Sequence, residues 1–94
     1  MTDKRKQRFD ELDRERRAVN AARSHAEIAL KAAEQLMYNT RAAVSAYPHV
    51  RAVANRGALG DAVRAAESVV NYLSRKNDEL AKEMSSILRE GPGG

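Results

Sequence analysis

The chain has 94 residues, with 17 Lys and Arg against 13 Asp and Glu, giving a formal net charge of +4. A length this short argues for one domain. The absence of Cys excludes disulfides, thiol nucleophiles and Cys-ligated metals, and no apolar run approaches the ~18–20 residues of a membrane span. Ala (17) and Arg (12) are the commonest residues. Both lose little side-chain freedom in a helix, and no alternating run of β-branched or aromatic residues marks a strand. The composition therefore predicts an all-α chain.

The N-terminus, Met1-Thr2-Asp3-Lys4-Arg5-Lys6-Gln7-Arg8, has no apolar run behind it, which argues against a secretory leader and makes the cytoplasm the expected location. Thr2 or Asp3 suits a helix N-cap, and no Gly or Pro follows until Pro48. A first helix over about 3–45 is predicted, roughly 60 Å long at 1.5 Å per residue. Its seam runs Phe9, Leu12, Arg16, Val19, Arg23, Ala26, Leu30, Ala33, Met37, Thr40, Val44 and Tyr47. Two arginines interrupt it, and its many alanines allow close helix approach. Ile28, Ala29, Ala32 and Leu36 add apolar surface on adjoining faces, which predicts burial on more than one side.

Residues of about 46–60 read as a connector holding Pro48, Gly57 and Gly60. Pro48 fits the first turn of a short middle helix that Gly57 would end. Asp61 is the expected N-cap of the last helix, predicted over about 61–90, with Gly91 and Pro92 stopping it. Residues 91–94 are expected to form a flexible tail, so that residues 1–90 make a single hairpin domain. The last helix carries the clearest pattern: Leu59, Val63, Ala66, Val70, Leu73, Asn77, Leu80, Met84 and Ile87 alternate four and three apart. That is the a/d repeat of a coiled-coil seam, broken once, by Asn77. Val69, Ala81 and Leu88 flank it and widen the stripe, as helix bundles require.

A short connection makes the two helices antiparallel neighbours. A turn centred near Val53 sets Val44 against Val63, Met37 against Val70, Leu30 against Asn77 and Val19 against Ile87. Residues 4–15 then overhang, leaving Phe9 and Leu12 without a partner inside the chain. A long antiparallel hairpin of this kind buries one face of each helix. Apolar surface remains outside, and the expected remedy is assembly into a helical bundle or coiled coil.

No metal, cofactor or catalytic set is visible. His25 and His49 lack a second ligand at helical spacing, no Ser sits on a glycine elbow, and no glycine loop cradles phosphate. Asp10 with Arg14 and Asp13 with Arg17 are i,i+4 pairs that suit a solvated helix face. Lys4, Arg5, Lys6 and Arg8 are only weakly opposed and are the residues that would meet phosphate or an acidic partner. Tyr47 and Tyr72 are expected in the core or at its rim, their hydroxyls toward water. The plan of two helices and a loop resembles small helical-hairpin proteins exported in pairs by specialised bacterial secretion, whose Trp-x-Gly turn this Trp-free chain lacks.

The sequence thus predicts a non-enzymatic interaction or assembly protein that self-associates or binds another helical protein. Its seam residues would be Phe9, Leu12, Leu30 and Met37 with Leu59, Val63, Val70, Leu73, Asn77, Leu80, Met84 and Ile87. The alternatives are a dimeric nucleic-acid-binding regulator using the basic N-terminus, and a secretion or assembly chaperone holding a partner helix.

Overall fold

The computed structural model describes residues 2–89. The expected tail at 91–94, with its Gly91 stop, lies outside them. Helix α1 spans Asp3–Ala46, a short 3-10 helix η1 spans Pro48–Ala52, and helix α2 spans Arg56–Arg89. No strand occurs among the described residues. The chain is an all-α helical hairpin.

Each boundary has a local cause. Thr2 caps α1: its Oγ1 accepts from the Arg5 backbone N–H at 3.3 Å. Pro48 opens η1 with its ring-fixed φ, and η1 ends at Val53, whose N–H bonds back to the Val50 carbonyl. The cap of α2 is Asn55, six residues before the expected cap, Asp61. Asn55 Oδ1 accepts from the Ala58 N–H at 3.0 Å. Asp61 is instead already helical and pairs with Arg64. Gly57 and Gly60 therefore lie inside the helix and do not stop η1. A Cβ at either would meet only ordinary contacts, at 3.7 Å and 3.5 Å.

The chain forms two compact units. The first joins residues 1–24 to 71–94, so the start of α1 lies antiparallel to the end of α2. Its core is Leu12, Leu80, Met84 and Ile87, with Phe9 and Val19 packed against it. Leu12 is only 1% exposed, which corrects the expectation that residues 4–15 overhang. The pairing is displaced from the expected one. Asn77 lies against Arg16 rather than Leu30, and the end of α2 at Ile87 meets Arg5 rather than Val19. Both differences are fourteen residues, or two heptads. A seven-residue apolar repeat can slide by whole heptads and still face apolar against apolar. The observed slide also covers Phe9 and Leu12.

The second unit is residues 25–70, with Ala26, Val44 and Val63 as its buried side chains. Here Arg56 and Leu59, in the first turn of α2, line one cleft with Met37, Thr40 and Arg41. The chain thus leaves α1 at Ala46, returns along it through η1, and starts α2 one to two turns short of that end. This return is what a turn centred on Val53 leaves out.

Candidate interaction surfaces

The two seams are placed as their spacing predicts. Every seam position from Phe9 to Val44 and from Leu59 to Ile87 is buried or part-buried. Tyr47, the last position on the first seam, falls outside α1 and is 61% exposed. Its ring instead packs beside His49, centroids 5.0 Å apart. Leu30 and Met37 are part-buried, as are Leu59, Val70 and Leu73.

Of the three polar interruptions in the first unit, Arg16, Arg23 and Asn77, the first and last meet each other. Arg16 Nε donates to Asn77 Oδ1 at 3.1 Å in a part-buried setting. Two further cross-helix contacts come from the residue just before an a position, the g position of the heptad. Arg8 pairs with Glu83 at 2.8 Å and Glu15 with Lys76 at 3.7 Å. Facing g positions of opposite charge are what an antiparallel pair brings together, and e and g charges set pairing and orientation. Glu83 raises the Arg8 pKa above its usual value, first by the hydrogen bond and then by its charge. Arg8 stays protonated across the physiological range in any case.

The basic N-terminus is partly engaged within the chain. Arg5 Nη2 donates to the Ile87 carbonyl oxygen. That carbonyl belongs to the last turn of α2, where orphan acceptors and the negative end of the helix dipole favour a cation. Arg8 is taken by Glu83 and, at 3.7 Å, by Glu11. Lys4 and Lys6 are exposed. Of the two predicted i,i+4 pairs, Asp13–Arg17 closes at 2.9 Å, while Asp10 and Arg14 are not joined among the described residues.

The outer faces are more informative. Ile28, Leu36, Tyr38, Val69, Tyr72 and Leu88 are each at least half exposed. The expected burial of α1 on more than one side does not occur within the chain, and Val69 and Leu88 do not widen the buried stripe. Two helices can cover only one face of each other.

This exposed surface is organised. In residues 25–70, the c and g positions of α1 are His25, Ala29, Ala32, Leu36, Asn39 and Ala43, and those of α2 are Ala58, Ala62, Ala65 and Val69. They form a second row on each helix, four and three apart like the internal seam. All are exposed and none is charged. The e positions on the other flank hold Glu27, Glu34 and Arg41 in α1 and Glu67 in α2. The second rows could be read from the sequence by continuing the heptad count past a and d.

Among the described residues no three His, Asp or Glu side chains gather as metal ligands, and no helix is long and apolar enough to cross a membrane. The cleft at Met37, Thr40, Arg41, Arg56 and Leu59 measures about 280 Å³, and the Thr40 hydroxyl there is committed to the Leu36 carbonyl at 2.8 Å. No protein-family profile, curated protein or solved structure matches the chain.

Proposed function

We propose that this chain is a non-enzymatic helical interaction module, an oligomerising subunit or adaptor that works in the cytoplasm by burying apolar helix surface against a partner. The observation that carries the reading is the uncharged, exposed second row on both helices between residues 25 and 70. A chain with 32% charged residues keeps charge off one flank of these helices while placing it on the other. Uncharged surface made mostly of Ala, with Leu36 and Val69 exposed on it, suits an interaction site better than a solvated face. The nucleic-acid reading is weaker, because Arg5 and Arg8, half of the basic cluster, contact α2 and phosphate affinity scales with the charges available.

The test pairs two measurements: the solution mass of the purified chain and the capture of partners from native lysate by a tagged chain. The expected result is an assembly in at least one of them, resistant to high salt because apolar packing is weakly screened. A cooperative monomer that captures nothing overturns the reading. Binding to duplex DNA or RNA that weakens steeply with salt would favour the regulator instead.

A further inference from the structure

We propose that the cleft between α1 and the start of α2 binds the phosphate group of a small organic phosphate monoester. Its walls are Met37, Thr40 and Arg41 on α1 and Arg56 and Leu59 on α2. All five lie in the second unit. Both arginines are exposed, and neither has an ion-pair partner among the described residues. The sequence explains why. Of the 13 Asp and Glu, none falls between residues 35 and 60. The helical neighbours of Arg41 three and four residues away are Met37, Tyr38, Val44 and Ser45, and those ahead of Arg56 are Leu59 and Gly60. No carboxylate therefore stands where an i,i+3 or i,i+4 pair needs one. Asp61, the nearest acid after this stretch, is held by Arg64. Two cations thus share one cleft and repel each other, and an anion between them relieves that repulsion.

The other groups of the cleft set the chemistry of the anion. The Thr40 hydroxyl gives its hydrogen to the Leu36 carbonyl, so the two guanidiniums supply the side-chain donors. A carboxylate has two oxygens and one charge, which a single guanidinium satisfies in a bidentate pair. A phosphate monoester carries about −1.5 to −2 charges at neutral pH on three strong acceptor oxygens, which two forked cations match. Met37 and Leu59, both part-buried, give the organic part of the ester an apolar wall. At about 280 Å³ the cleft stands at the small end of ligand sites, which begin near ~300 Å³, and suits a compact ester. Arg56 is also the first residue of α2, whose dipole adds positive potential at that end.

Calorimetric titration of the full chain with phenyl phosphate, in a buffer free of other phosphates, tests this. The expected result is saturable binding of one ligand per chain, tighter than that of inorganic phosphate because the ring lies on Met37 and Leu59. Arg41→Gln and Arg56→Gln alter exposed side chains, so helicity by circular dichroism should be retained. Each should weaken binding by about tenfold or more through loss of charged hydrogen bonds. Arg51→Gln removes an exposed charge outside the cleft and should change affinity by no more than about twofold at physiological salt, where distant charges are screened. Phosphatidylcholine vesicles containing phosphatidic acid present the same monoester on a lipid. Binding to them that needs Arg41 and Arg56 identifies a lipid source, and binding to phenyl phosphate alone a soluble one. Absence of saturable binding to either overturns the proposal, as does binding that the cleft variants leave intact or that Arg51→Gln weakens equally. Duplex DNA bound in preference to phenyl phosphate would also overturn it, because a phosphodiester carries a single charge and is not the dianion the two arginines match.

Discussion

Asn77 accepts a hydrogen bond from the Arg16 side chain at 3.1 Å, and this contact decides what each residue does. Replacing Asn77 with Leu leaves a part-buried guanidinium N–H without its acceptor. The expected loss is about 1–2 kcal/mol, within the range for hydrogen bonds to charged groups. Replacing both residues with Leu removes donor and acceptor together and should recover most of that loss, while freeing the helices to slide by a heptad. Thermal melts of the two single variants and the double variant measure the coupling, and purely additive losses would refute it. The leucines of the second seam are unequal in the same physical sense. Leu80 is 3% exposed inside the main cluster, whereas Leu73 is only part-buried, although both stand at d positions of the same repeat. Leu80→Ala should cost about 2–5 kcal/mol, and Leu73→Ala distinctly less. Gly60, interior to α2, where a Cβ would meet only the Arg64 guanidinium at an ordinary 3.5 Å, should gain about 0.5–1 kcal/mol on substitution by Ala. Urea titrations of the three variants give the comparison, and equal losses at the two leucines would contradict the burial difference.

At the level of the elements, helix type and seam were legible, but register was not. Spacing alone identified every buried position, because the a/d period dictates which side of a helix faces its partner. It could not say which heptad faces which, because that choice rests on the few non-repeating residues. Three signals were present. Arg16 and Asn77 are polar breaks that belong together in one layer. Arg8 with Glu83 and Glu15 with Lys76 match in charge at facing g positions. Phe9 and Leu12 require cover. The connector hid the answer, since Asn55 can cap a helix as well as Asp61 can and the chain between Ala46 and Arg56 doubles back. Carbodiimide coupling checks the register, because it joins a carboxylate to an amine only in direct contact. Glu15 and Lys76, 3.7 Å apart, should yield an intrachain product. In the register displaced by two heptads Lys76 would face Ala29, and no Glu15–Lys76 product would form.

For the molecule as a whole, stability and interaction are assigned to different residues. Residues 25–70 hold 13 of the 17 alanines but only 9 of the 30 charged side chains. Their buried side chains are Ala26, Val44 and Val63. The first unit instead encloses Leu12, Leu80, Met84 and Ile87, and its surface carries the cross-helix ion pairs. Burial of a Leu, Ile or Met side chain contributes about 1.5–3 kcal/mol, several times the return from an alanine methyl. Local opening should therefore require more free energy in the first unit than in the second. Amide hydrogen exchange on dilute protein should show its slowest sites between Phe9 and Val19 and between Asn77 and Ile87. Exchange across residues 29–43 and 58–69 should be faster and should slow as concentration rises, since a partner laid on the second row stabilises those turns by mass action. The first unit should show little such dependence. Slowest exchange within 25–70 at every dilution would reverse the assignment, because a segment already at the global limit needs no partner to hold it.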